Sequence, residues 1–160
     1  MLIRPATVED AGAMSALLNE VITKGGTTAI EGAVSARDVC NWMARNPDRS
    51  AWHVAASDDG ILGFQWIEPN AKLPPEAADI ASFVRVGSTG GGIGARLFAT
   101  TCAAATGLGY RWINASIRSD NTVGLGYYRK MGFQVWDEDP TASLSDGTVT
   151  GKTHTRFELG

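Results

Sequence analysis

The chain has 160 residues, 44% hydrophobic and 19% charged, a balance that reads as one soluble globular domain spanning 1–160 with length enough for a real core. A net charge of −3 without any basic run excludes a nucleic-acid surface, which needs clustered Lys and Arg against the phosphates. No apolar stretch reaches membrane-spanning length, residues 1–5 lack the layout of a secretion signal, and Cys40 and Cys102, far apart and with few histidines, indicate neither a disulfide framework nor a metal site; a reduced, cytoplasmic protein without a metal is expected.

Residues 2–4 predict a short strand stopped by Pro5. Thr7 and Asp10 have the spacing of a helix start, and Ala13, Met14, Leu17, Leu18, Val21 and Ile22 follow helical periodicity. The loop 24–28 ends that helix. Ser35 reads as the cap of a second helix through Val39, Trp42 and Met43 to Pro47. The period then changes, and residues 52–56 and 60–67 predict two strands around the turn Ser57-Asp58-Asp59-Gly60. A strand over 78–86 enters a glycine run, and a helix leaves it over 92–107. Residues 111–117 predict a strand, Asn121 caps a helix to Met131 stopped by Gly132, and strands over 133–136 and 153–159 close the chain. The order is β-α-α-β-β-β-α-β-α-β-β, a mixed α/β domain.

The run Thr89-Gly90-Gly91-Gly92-Ile93-Gly94 places backbone N–H groups, with no Cβ in the way, at the start of a helix. The unpaired donors and partial positive charge there suit phosphate. Three ligands compete. A Walker loop needs Lys-Ser/Thr after the last glycine, and Ala95-Arg96 stand there instead. A dinucleotide fingerprint needs an acid some 20 residues on, and 110–116 contain none. The third is the pyrophosphate of coenzyme A.

The element order, this loop and the segment Asn121 to Phe133, with Tyr128-Arg-Lys-Met-Gly132-Phe133 inside it, resemble the GNAT superfamily of acyl-CoA N-acyltransferases over essentially the whole chain. Its loop is Q/R-x-x-G-x-G/A; the glycines match and Thr89 departs, removing a long side chain. The opening Ile3-Arg-Pro-Ala-Thr-Val-Glu-Asp10, the Thr27-Thr28-Ala29-Ile30-Glu31 segment and a carboxylate on the fourth strand at Asp79 are similar to the phosphinothricin-acetyltransferase-like branch, which usually has the longer Glu at the last position.

The resemblance implies a mostly antiparallel central sheet flanked by helices, and direct acetyl transfer from acetyl-CoA to the primary amine of a small molecule or amino acid derivative. Protein N-terminal or lysine acetylation is the alternative enzyme, and a CoA-binding sensor the non-catalytic one. It implies pyrophosphate contacts from the backbones of Thr89, Gly90, Gly91, Gly92, Gly94 and Ala95. Backbone groups at Val84 and Val86 would serve the pantetheine arm, as an added strand does, and a backbone N–H within 82–84 would polarise the thioester. Asn121 would contact pantetheine or substrate besides capping its helix. Tyr128, chosen over Tyr127 by the Tyr-x-x-x-Gly-Phe spacing, would be the general acid. Asp79 would be the base, directly or through water, with Glu68 in reserve. Glu31 and Trp66 would contact the acceptor, His154 in the last strand is left open as a pocket residue, and most of the other tryptophans read as core. The branch also implies a homodimer.

Overall fold

The computed structural model describes residues 1–88 and 91–160. Its elements run in the expected order: β1 (Leu2–Pro5), a 3-10 turn (Val8–Asp10), α1 (Ala11–Lys24), α2 (Ala36–Ala44), β2 (Ala51–Ser57), β3 (Gly60–Glu68), β4 (Ala77–Val84), α3 (Ile93–Gly107), β5 (Trp112–Arg118), α4 (Thr122–Met131), β6 (Gln134–Asp139) and β7 (Lys152–Glu158). The local signals act through side chains close in sequence. Ser35 accepts from the Asp38 N–H at 3.0 Å while the Asp38 carboxylate accepts from the Ser35 N–H at 2.9 Å, which closes the first turn of α2. Asn121 accepts from the Gly124 N–H at 2.9 Å and so starts α4. Asp10 closes the first turn differently. Its carboxylate accepts from the Thr7 N–H and from both Arg4 guanidinium nitrogens, at 2.8–2.9 Å, and these bonds hold it below the usual carboxylate range.

The strands form one sheet in the order β1-β2-β3-β4-β5-β7-β6. Every neighbouring pair is antiparallel except β4 and β5, whose parallel course requires the crossover through α3. Side chains alternate between the faces. On one face Met14, Leu17 and Leu18 of α1 and Val39 of α2 pack on Trp52, Val54, Phe64 and Trp66. On the other, Phe98 and Ala105 of α3 and Tyr128 of α4 pack with Phe133 on Ile67, Ile80, Ile113 and Ile117. Each fully buried side chain of this size contributes about 1.5–3 kcal/mol.

Three expectations are corrected. The fourth strand ends at Val84, because the chain turns at Val86-Gly87, where Gly87 has φ +86; Val86 is therefore an exposed turn residue. The sixth strand begins at Gln134 and continues to Asp139 as the sheet's edge. Trp136 is not core: it is 43% exposed. Among the described residues no helix is long and apolar enough to cross a membrane, and no group of three or more His, Cys, Asp or Glu could hold a metal ion.

Candidate active site

The site begins where the sheet opens. β4 and β5 pair through only three rungs, Ala77–Trp112, Ala78–Ile113 and Asp79–Asn114. Beyond them β4 continues along β3 to Val84 and β5 continues along β7 to Arg118. Two parallel strands thus part, and the backbone groups they would have shared are left facing a gap.

Asp79 stands on the last rung. Its Oδ1 accepts from Asn114 Nδ2 at 2.9 Å and its Oδ2 from Asn70 Nδ2 at 3.1 Å. Burial pushes its pKa above the ordinary carboxylate value, against the two amide donors; Glu68 adds to the rise and Lys152 opposes it. Asn114 is itself oriented by Trp136, whose indole N–H donates to Asn114 Oδ1 at 2.9 Å. An indole nitrogen only donates, so the Asn114 amide must turn its nitrogen to Asp79. That nitrogen also donates to Ser116 Oγ at 2.9 Å, and Ser116 Oγ lies 2.7 Å from His154 Nδ1. Register puts Asp79, Asn114, Ser116 and His154 on one face of the sheet, so His154 does share the face of Asp79.

Tyr128 approaches from the opposite face. Its Oη donates to Ser82 Oγ at 2.9 Å, and Ser82, three residues after Asp79, projects the other way. Burial pushes the Tyr128 hydroxyl above the ordinary tyrosine value, and Tyr127 is pushed up to about 12 for the same reason. The Tyr127 Oη donates to the Gly94 carbonyl at 2.8 Å, so α4 is tied to the first turn of α3.

Thr89 and Gly90 lie outside the described residues. Gly92 caps α3 in the left-handed region at φ +73, a conformation glycine adopts without strain. The first bond closing α3 runs from the Arg96 N–H to the Gly92 carbonyl at 3.0 Å, which leaves the N–H groups of Ile93, Gly94 and Ala95 without helical acceptors. No acidic side chain occupies that turn, so the donors and the gap fit an anionic cofactor that continues along the strands. Gly94 has a second reason to be glycine. A Cβ there would lie 2.6 Å from Tyr127 Cε1. Gly94→Ala should displace the Tyr127 ring and cost about 1–3 kcal/mol, read as a lower unfolding midpoint in a denaturant titration.

The remaining expected contacts are spent on neighbours. Asn121 donates Nδ2 to the Thr27 carbonyl at 2.9 Å, besides its cap, and retains one amide proton. Glu31 accepts from the Ser145 N–H and hydroxyl at 3.1 and 2.8 Å, and Arg118 donates to the Thr28 carbonyl at 3.0 Å. The 25–35 loop is thereby pinned across the ends of β5, α4 and the β6–β7 connection. Trp66 is buried, stacked on Trp52 with ring centroids 4.1 Å apart, and donates to Glu68 at 2.6 Å; Glu68 also accepts from Arg45 at 2.9 Å. Val86 lines a groove of about 650 Å3 with Ala16, Asn19, Glu20, Thr23 and Lys24. Sequence reasoning missed Asn114, Asn70 and Gln65; the one available signal was a polar residue inside each of two apolar strands, Asn114 in Trp112–Arg118 and Gln65 in Gly60–Glu68.

The gap between the parted strands and the N–H groups that open α3 fit the frame of a coenzyme A-dependent acyltransferase. Residues 24–133 match the family described as the acetyltransferase (GNAT) family, and the chain belongs to that family of acyl-CoA N-acyltransferases. Similar solved folds include yncA of Salmonella typhimurium with its cofactor acetyl-CoA (18% identity, 99% of this chain and 94% of that one, TM-score 0.88). A ribosomal-protein-alanine N-acetyltransferase of Brucella melitensis is also similar (22%, 99% of each, 0.89). A third is a phosphinothricin acetyltransferase of Sinorhizobium meliloti in complex with acetyl-CoA (18%, 99% and 88%, 0.88). No curated protein matches the sequence significantly.

Proposed function

We propose that this protein, read as one acetyltransferase domain over 1–160, transfers the acetyl group of acetyl-CoA directly to the primary amine of a small molecule or amino acid derivative. The observation that carries this is the gap between β4 and β5, flanked by Asp79 on one face of the sheet and Tyr128 on the other. The amine then attacks from the Asp79 side, and the thiolate leaves on the Tyr128 side. Asp79, held by two amide donors, takes a proton from the ammonium directly or through water. A backbone N–H of segment 82–84, on the side that β5 has left, polarises the thioester carbonyl. Tyr128 protonates the departing sulfur.

Thr89, Gly90, Gly91, Gly92, Gly94 and Ala95 hold the pyrophosphate through backbone N–H groups. Val84 and Val86 run beside the pantetheine arm, and the spare amide proton of Asn121 reaches it. Glu31 and Trp66 shape the acceptor pocket through the residues they hold, Ser145 and Glu68. The pinned 25–35 loop supports a small acceptor over an extended peptide, because it crosses the end of β5, one of the two strands that border the gap. Among the similar folds, a phosphinothricin acetyltransferase and a ribosomal-protein-alanine N-acetyltransferase span both kinds.

Thiol release from acetyl-CoA with a panel of small amines, and mass analysis of the products, tests the proposal. Acetylated small amines are expected. Release only with peptides moves the acceptor to proteins. Tight coenzyme A binding with no release at all makes the protein a sensor and ends the enzyme reading.

A further inference from the structure

Behind β4 lies a chain of hydrogen bonds that joins the motif residues Gly94 and Tyr128 through residues outside the motifs. Gln65 of β3 is completely buried, at 0% exposure. Its Oε1 accepts from the Thr101 hydroxyl of α3. Its Nε2 donates to Ser82 Oγ at 2.7 Å and to Tyr127 Oη at 3.1 Å. Tyr127 Oη donates to the Gly94 carbonyl at 2.8 Å, and Tyr128 Oη lies 2.9 Å from Ser82 Oγ.

The direction of this chain follows from one group. A carbonyl oxygen accepts and never donates, so the single hydroxyl proton of Tyr127 goes to Gly94. The Tyr127 oxygen is then an acceptor toward Gln65. Gln65 must turn its amide nitrogen there and its oxygen to Thr101, an orientation set by partners rather than by the amide's own shape. The second amide proton consequently fills Ser82. Ser82 and Tyr128 hold two hydroxyl protons between them. One lies between their oxygens, and the other meets, besides the pair itself, the neighbouring Tyr127 oxygen, which is already engaged with Gln65 and Gly94. With the amide turned over, Ser82 would donate to Gln65 and no proton would be left over.

We propose that Tyr127 and Gln65 are positioning residues for the acid: by fixing the amide's orientation they leave one hydroxyl proton of the Ser82–Tyr128 pair free for the leaving sulfur. The inference rests on the acyl-transfer reading above. As the carbon–sulfur bond breaks with its electron pair on sulfur, the Ser82–Tyr128 pair gives up an O–H proton and an S–H bond forms. An ammonium loses two protons on becoming an amide: the first leaves through Asp79 to solvent, and the second, shed by the nitrogen after attack, is matched through water by the proton that the oxygen left behind recovers.

Tyr127→Phe tests this, because it keeps the ring on Gly94 and removes only the hydroxyl. The expected kcat falls about tenfold, with the KM for acetyl-CoA unchanged. A second readout needs no acceptor: the thiol of bound coenzyme A, followed by thiolate absorbance, titrates about one pH unit higher in the variant than in the wild type. Equal kcat and equal titrations in the two proteins overturn the inference. A loss confined to KM or to Tm marks Tyr127 as structural and overturns it too. A wild-type protein that binds no coenzyme A overturns the acyl-transfer reading itself, a failure visible before any variant is made.

Discussion

Asp79→Asn should lower kcat about a hundredfold or more, the usual contribution of a general base, while coenzyme A affinity stays at the wild-type level. The wild-type kcat/KM should fall as the pH drops through the Asp79 pKa. Because burial raises that pKa above the ordinary 3.8 of an aspartate, the acid limb should sit above 3.8, and in the variant it should vanish. The sign for stability is the opposite of a salt-bridged carboxylate. A raised folded pKa means that the native state binds the proton more tightly than the unfolded chain, so the contribution of Asp79 to stability is present below the unfolded value and lost as the pH rises through the folded one. At neutral pH the ionised carboxylate therefore costs stability; Asp79→Asn removes that pH-dependent cost but sets an NH2 against one of the two amide donors, so the expected change is a Tm that no longer varies with pH through the Asp79 titration. Wild-type turnover in the variant, measured with the amine that gives the fastest thiol release, would remove Asp79 from the chemistry and turn attention to Glu68.

Tyr128→Phe should also lower kcat by about two orders of magnitude. The ring is retained and continues to pack on Phe133 and Tyr127, with centroids 5.0 and 4.8 Å away, so the fold and the cofactor affinity should persist. Only the bond to Ser82 goes. Burial holds the Tyr128 hydroxyl protonated beyond the ordinary tyrosine range, so this residue should add no basic limb to the wild-type profile in the usual assay range. An acid that weak gives up its proton only as negative charge builds on the sulfur, which ties proton transfer to thiolate departure. Full activity in the variant would leave the thiolate to solvent and overturn the role.

Features set by neighbouring residues were legible along the chain. Ser35 with Asp38, Asn121 with Gly124, and the Ser57–Gly60 turn each act within three residues, and each produced the expected element boundary. The strand ends were less legible: whether the fourth strand stopped at 84 or 86 depended on where the chain could turn away from β3. Gly94 was read for its closeness to phosphate, yet its missing Cβ also makes room for the Tyr127 ring, 33 residues on. Trp136 departs from the core expected of the tryptophans. It lies instead on an edge strand, with its N–H spent on orienting Asn114.

The order of the elements, the glycine turn into a helix and the motif that marks Tyr128 follow from the chain's local chemistry, because periodicity, capping and turns act between near neighbours. The parting of β4 and β5 after Asp79, the placing of Asp79 and Tyr128 on opposite faces of the sheet and the direction of the Gln65 amide follow only from the folded arrangement. Those depend on strand register and on partners up to 62 residues apart, as Gln65 and Tyr127 are. A one-residue slip in register would reverse every face.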